Sequence, residues 1–313
     1  MTRRVLVLGA GGFVGRHVMA GLPTAGFDVI AGVRGAAPPG IEARRLEATD
    51  QTSLRAALDG VTDIVNCVAA APGAMTQATQ ALCEVARERR IVHLSSMAVY
   101  GAATGLVNEE ASLPGGGPYA DGKVASEGIL RQHAANGGQA VILRPGCIHG
   151  PGSEQWTARP ARLLRQGRLG DLGVAGDGFC NLTAVADLVA AIAAALERSE
   201  ISGAAFNIAD PEPGRWNDYF LHLALAIGAT PLRRLPDWQM KLDKLAAFPL
   251  KAAEIMGGKL RIRFPDPIPP SLWRVFAQEI RLDHRRADAE LGFLRQAPKA
   301  TLAEAAEWFL RAA

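Results

Sequence analysis

The chain opens on an uninterrupted apolar run, Val5-Leu6-Val7-Leu8, which breaks into Gly9-Ala10-Gly11-Gly12-Phe13-Val14-Gly15 and then into a stretch whose apolar positions, Val14, Val18 and Leu22, recur at helical spacing. A short apolar run bounded by glycine reads as a strand buried on both faces, and the spacing after it as an amphipathic helix. The alternation then repeats. Further strands are expected at 28–33, 43–47, 63–68, 91–94 and 141–144, and helices at 52–58 behind a capping Asp50, at 76–88, and over the stretch that carries Tyr119 and Lys123. Strands and helices alternating at this density predict an α/β fold, a Rossmann-type doubly wound parallel sheet with its site at the carboxyl ends of the strands.

Past residue 150 the pattern turns mainly helical. Helices are expected at 156–166, from a capping Asp187 to 198, and at 216–227. The expected division is a core, 1–151 with 181–210, whose glycine turn suits a dinucleotide, and a smaller, mainly helical part, 152–180 with 211–313, expected to form a lid over a substrate. Within the lid, 242–256 mixes apolar residues with Lys244, Lys251 and Glu254 and precedes the proline-broken Phe264-Pro265-Asp266-Pro267-Ile268-Pro269-Pro270. A pocket wall is the first expectation for this segment; a homodimer contact and a membrane-surface element are the alternatives. Trp238, Met240, Phe248, Met256 and Trp273 give the region an apolar character that suits an apolar substrate.

Composition narrows the function classes. A chain of 313 residues with 49% hydrophobic residues can bury a large core, which excludes general disorder. Lys and Arg number 34 against 31 Asp and Glu, a balance too even to imply a nucleic-acid partner. Cys67, Cys83, Cys147 and Cys180 have neither a CxxC pair nor metal-ligand spacing, so no metal site or disulfide framework is expected and a reducing, cytoplasmic location fits. No apolar stretch reaches the length of a transmembrane segment. Arg3-Arg4 before the first apolar run resembles the start of a secretory signal, but the run is short and enters the glycine turn, so the N-terminus is expected to be structure.

The glycine turn is the first piece of candidate chemistry. Gly9 allows a sharp turn, Gly12 admits a pyrophosphate close to the backbone, Gly15 lets the helix pack near the strand, and Phe13 and Val14 open a helix whose N-terminus faces the dianion. Arg34 follows the second strand, where an acidic residue would select NAD; a guanidinium pairs with a 2′-phosphate and favours NADP over NAD. Glu47 ends the third strand, and the small Ala69 and Ala70 follow the fourth, suiting a cofactor that lies against backbone. Tyr119 and Lys123, four apart, share one helix face, and an ammonium near a phenol is expected to draw its pKa down toward the working range.

Gly9-x-x-Gly12-x-x-Gly15, Ser95-Ser96-Met97-Ala98-Val99-Tyr100-Gly101, Tyr119-Ala120-Asp121-Gly122-Lys123 and Arg144-Pro145-Gly146-Cys147-Ile148-His149-Gly150-Pro151 stand in the order seen in extended short-chain dehydrogenases/reductases, which the chain resembles up to about residue 235. The resemblance implies a Ser96–Tyr119–Lys123 proton-transfer site, a lysine that also holds the nicotinamide ribose, and Pro145 and Ile148 beside the nicotinamide. Ser96 aligns with the catalytic position and Ser95 with a structural one. Two positions depart from the pattern. Gly122 stands where serine is frequent, and Cys147 where nucleotide-sugar enzymes of this family commonly place asparagine, which points to the branch similar to 3β-hydroxysteroid dehydrogenases and dihydroflavonol reductases. His149 replaces a frequent tyrosine and is expected to be packed rather than to point into a pocket. The leading expectation is an NADP-dependent oxidoreductase acting on a carbonyl or secondary alcohol of a small, largely apolar substrate. A nucleotide-sugar epimerase or dehydratase with tightly bound NAD is the alternative, and a non-catalytic cofactor-binding scaffold the third.

Overall fold

The computed structural model describes residues 3–35, 40–243, 245 and 268–312. The chain forms two compact units: residues 1–148, 183–211 and 282–296 in the first, and 149–182, 212–281 and 297–313 in the second.

The first unit is a seven-stranded parallel sheet. Its strands are β1 (Arg4–Leu8), β2 (Asp28–Val33), β3 (Ala43–Arg45), β4 (Asp63–Asn66), β5 (Arg90–Leu94) and, after a short β6 (Gly105–Val107) outside the sheet, β7 (Gln139–Pro145) and the edge strand Ala205–Ile208. Their order is Ala205–Ile208, β7, β5, β4, β1, β2, β3, so the direction of winding reverses between β1 and β4. β1 pairs with β2 on one side (Leu6 opposite Ile30) and with β4 on the other (Leu6 opposite Ile64). Both faces are covered, which is why the strands read as continuous apolar runs. Val5, Val7, Val65 and Val92 face a cluster with Val18, Leu188 and Ile192, while Leu6, Leu8, Ile64 and Ile91 face Leu54, Leu82 and Leu130.

Helices α1 (Phe13–Gly21), α2 (Gln51–Ala57), α3 (Pro72–Ala86) and α4 (Pro118–Ala135) connect these strands. Asp50 caps α2 as expected, accepting from the N–H of Thr52 and Ser53. Asp187 does not cap its helix. That helix runs Val185–Glu197 from an Ala184 N-cap, which puts Asp187 in the first turn, where its carboxylate accepts from the N–H of Gln296 at 2.9 Å. A carboxylate there still complements the helix dipole. The stretch Leu282–Gln296, assigned from sequence to the lid, belongs to the first unit: Asn207 Nδ2 donates to Asp283 O at 3.1 Å, and Ala287 and Leu291 sit in the sheet's core.

The second unit gathers helices Arg159–Arg165, Trp216–Ala226 and Pro298–Ala312. Its centre is aromatic. Trp216 meets Phe276 at 5.0 Å and Trp156 at 5.3 Å between ring centroids, and Phe220 meets Phe276 at 5.1 Å, with Trp216, Phe220 and Phe276 all buried. Met240 and Trp273 are buried as well, whereas Trp238 is exposed. Phe248, Met256 and most of the proline-broken stretch lie outside the described residues.

Candidate active site

The glycine turn is fixed by sterics. Gly9 has φ +76°, a conformation that side chains disfavour, and a Cβ on Gly15 would lie 2.2 Å from Gly9 O. Gly12 N donates to Gly9 O at 2.9 Å and Arg16 N to Gly12 O at 3.0 Å, and Gly12 has no side chain to cap α1. The N–H groups of Phe13, Val14 and Gly15 therefore have no acceptor among the described residues, the arrangement that fits a pyrophosphate at a helix N-terminus. Arg16 Nη1 donates to Gly11 O at 2.9 Å, bracing the turn and bringing a cation to it. A Cβ on Gly9 would meet Cys67 O at 3.0 Å, so this turn lies against the end of β4, where Ala69 and Ala70 are exposed.

Two guanidinium-bearing residues stand at the next strand ends. Arg34 follows β2 and is exposed, and Arg45, the last residue of β3, donates from Nε to Arg34 O at 3.2 Å. Glu47 is exposed and accepts from the Thr49 hydroxyl at 3.2 Å. Neither Arg16 nor Arg45 stands in a motif or spacing that marks it in the sequence. Arg45 could have been found from its place at a strand end beside that of Arg34.

Ser96 follows the end of β5, where its Oγ accepts from Ala98 N at 3.2 Å and caps the short helical turn Met97–Tyr100. The Ser96 hydroxyl is near enough to the Tyr119 phenol to act on its pKa. Lys123 is buried on α4, its Nζ donating to Leu94 O at 2.7 Å and lying 5.9 Å from the Tyr119 ring centroid. Its other two ammonium protons have no acceptor among the described residues. Burial brings the Lys123 pKa down to about 8, against the raising influence of Cys67 and Glu127.

The phenol departs from expectation. Tyr119 is 47% exposed as a residue, yet burial around its phenol raises the pKa above the ordinary value; the opposing influence is the Ser96 hydroxyl, not the ammonium. The reason is geometric, since the Lys123 ammonium is held at Leu94 O. Gly122 also has a packing role. A Cβ there would stand 3.1 Å from Pro72 Cα and from Met75 Cε, so glycine lets α4 approach α3 closely.

Behind these groups lies a buried polar network. Glu127, one turn after Lys123, accepts from Ser95 Oγ at 2.6 Å, from Arg144 Nε at 2.9 Å and Nη2 at 2.7 Å, and from Arg131 Nη2 at 3.0 Å. Arg144 Nη1 continues to Tyr100 Oη at 2.7 Å, which donates to Asn207 Oδ1 at 2.6 Å. The network ties together α4, the end of β5, and β7, whose last residue is the buried Pro145. Ile148 is half-buried nearby in sequence, and Cys147 is buried, its thiol pKa pushed up by burial. His149 is buried too, and burial pushes its pKa down to about 4, so it is a neutral, packed histidine at ordinary pH.

Comparison with known proteins shows the family and the fold. The chain is 32% identical over 255 residues to 2′-dehydrokanamycin reductase of Streptomyces kanamyceticus, covering 76% of this chain and 71% of that protein. It is 30% identical over 258 residues to 2-alkyl-3-oxoalkanoate reductase of Stenotrophomonas maltophilia, covering 72% and 76%. The solved structure of dTDP-glucose 4,6-dehydratase from Bacillus anthracis with NAD shares the fold, with a TM-score of 0.77 and 16% identity over 99% of this chain and 97% of that one. Fold and relatives together define a nicotinamide-nucleotide-dependent enzyme of the short-chain dehydrogenase/reductase superfamily, an oxidoreductase. Within it, the chain belongs to the NAD dependent epimerase/dehydratase family, whose sequence model matches residues 5–209. Among the described residues no helix is long and apolar enough to cross a membrane.

Proposed function

We propose that the protein is an NADP-dependent reductase or dehydrogenase that exchanges hydride with the carbonyl or secondary alcohol of a small, largely apolar substrate. The observation that supports this most is the buried Lys123 ammonium 5.9 Å from the Tyr119 ring centroid, one helix turn away, in a chain whose glycine turn leaves the N–H groups of Phe13, Val14 and Gly15 without acceptors among the described residues. The cofactor, when bound, supplies or accepts the hydride. Tyr119 passes the accompanying proton to or from the substrate oxygen, and Ser96 donates to that oxygen as negative charge develops on it. The free ammonium protons of Lys123 hold the ribose hydroxyls. Two relatives named as reductases of oxo or dehydro compounds favour carbonyl chemistry, and the buried thiol of Cys147, a weak donor, is poorly suited to hold a sugar nucleotide's diphosphate.

Cofactor choice follows from Arg34 with Arg45. NADPH is expected to bind more tightly than NADH, by roughly ten- to a hundredfold for a charge-assisted contact to the 2′-phosphate, and Arg34→Asp to reverse the order. Fluorescence titration of both cofactors measures this, and equal native affinities would remove the assignment.

Lys123 sets the pH dependence. Its pKa of about 8 lies below the 10.5 of a free lysine, so the fold favours the neutral amine between those values and native stability rises with pH across that window. Ribose hydroxyls accepting from the ammonium favour the charged form instead. Cofactor affinity is therefore expected to stay constant below about pH 8 and to fall above it, with proton uptake on binding there. Calorimetric titration in buffers of different ionisation enthalpy reads the uptake directly; affinity that rises through pH 9 contradicts the ribose contact.

A further inference from the structure

In the second unit, the helical residues 237–243 and 245 form an inside-out helix. Its inner side is anchored by polar groups and one methionine: Met240 is buried, Gln239 Nε2 donates to Gly167 O at 3.3 Å, and Asp243 pairs with Arg168 at 2.6 Å. The outer side is apolar. Trp238 is 66% exposed, Leu242 57% and Leu245 76%. At about 100° per residue these three fall within an arc of roughly 60°, a single stripe. A helix on a globular protein normally turns such a stripe inward, so this face is built to meet something other than water.

Charge identifies the occupant. Lys241 borders the stripe and is exposed, as are Arg233 and Arg234 just before the helix. Arg234 lies beside Gly173, bringing the 85% exposed Val174 next to a guanidinium. Along the sequence, 233–263 holds 8 Lys and Arg against 3 Asp and Glu, while the remainder of the chain holds 26 against 28, out of 34 and 31 in all. Along the sequence, then, the positive balance of the chain falls in the segment that begins with these residues, of which Arg233, Arg234 and Lys241 are described. Tryptophan and leucine rimmed by lysine and arginine match the boundary of an anionic bilayer, where the ring and aliphatic groups enter the acyl edge and the cations meet head-group phosphates. A protein partner fits less well, because four side chains fall far short of the roughly 800 Å² per partner that a standard interface buries.

We propose that this face, carrying Trp238, Leu242 and Leu245 with Arg233, Arg234 and Lys241, docks the protein peripherally on an anionic lipid surface. The proposal does not depend on the reaction catalysed.

The test is sedimentation of the full-length protein with extruded vesicles of phosphatidylcholine alone or with phosphatidylglycerol. The native protein is expected to bind the anionic vesicles, more weakly at higher salt, and to bind neutral vesicles little. Combined Trp238→Ser, Leu242→Ser and Leu245→Ser substitution is expected to reduce binding at least roughly tenfold. The single Leu245→Asp variant carries the same sign should the triple variant fail to fold. Arg233→Glu with Lys241→Glu is expected to weaken binding to anionic vesicles selectively. Absence of binding to anionic vesicles, or triple-variant binding equal to native, overturns the proposal. So does light scattering that shows a native dimer dissociated by the triple substitution, since a second copy would then be the occupant.

Discussion

Tyr119→Phe is expected to lower turnover by on the order of 10²-fold or more while leaving the fold and cofactor affinity close to native. Phenylalanine keeps the ring and removes only the hydroxyl, the group on which Ser96 acts. The neighbouring variants separate the roles. Ser96→Ala is expected to lower turnover with little change in cofactor binding, because it removes a donor to the substrate oxygen. Lys123→Met is expected to reduce both, because the Lys123 ammonium is the proposed ribose contact and lies 5.9 Å from the Tyr119 ring centroid. Steady-state rates beside cofactor titrations make the comparison. Near-native turnover in folded Tyr119→Phe protein assigns the proton to another group.

Arg144→Met is expected to destabilise the first unit by about 3–5 kcal/mol, the usual consequence of leaving one partner of a buried ion pair unpaired. Arg144 and Glu127 are both fully buried, joined by two parallel hydrogen bonds, and Arg131 at the edge cannot replace the lost fork. Adding Glu127→Gln to the variant is expected to recover part of the loss, since the buried charge then disappears together with its partner. Denaturant titration measures both. A loss below 1 kcal/mol in the single variant would mean that Glu127 finds compensation in water.

Much of this architecture was legible in the sequence because both the sheet and the turn are written in local terms. Strands buried on two faces must be apolar throughout, so β2 and β5 could be placed nearly to the residue. Gly9 and Gly15 are dictated by φ and by a contact no side chain could tolerate. The departures arose where the determinant was distant in sequence. Asp187 resembled a cap, but its partner is Gln296, 109 residues away. Leu282–Gln296 looked like lid because nothing local ties it to Asn207 or to the core residues that receive Ala287 and Leu291.

The site was legible to a similar depth. Spacing placed Tyr119 and Lys123 on one face, and the position of Ser96 after β5 followed from the motif order. Spacing could not show that the Lys123 ammonium is held by Leu94 O, which is why the expected lowering of the Tyr119 pKa by that charge gave way to raising by burial. Nor could it show Glu127, whose four hydrogen bonds draw on three separate elements. Arg45 escaped because β3 is only three residues long and its end was expected two residues later.

Net hydride transfer between NADP and an apolar carbonyl compound can be followed with NADPH that carries deuterium at the transferable position of the nicotinamide. The protein is incubated with this cofactor and a panel of hydrophobic ketones and nucleotide-linked sugars, and the products are weighed by mass spectrometry. The expected result is an alcohol heavier by one deuterium from at least one ketone, NADP formed in equal amount, and no reaction of the sugar nucleotides. Conversion of a sugar nucleotide without net consumption of added cofactor, with the ketones untouched, would contradict it.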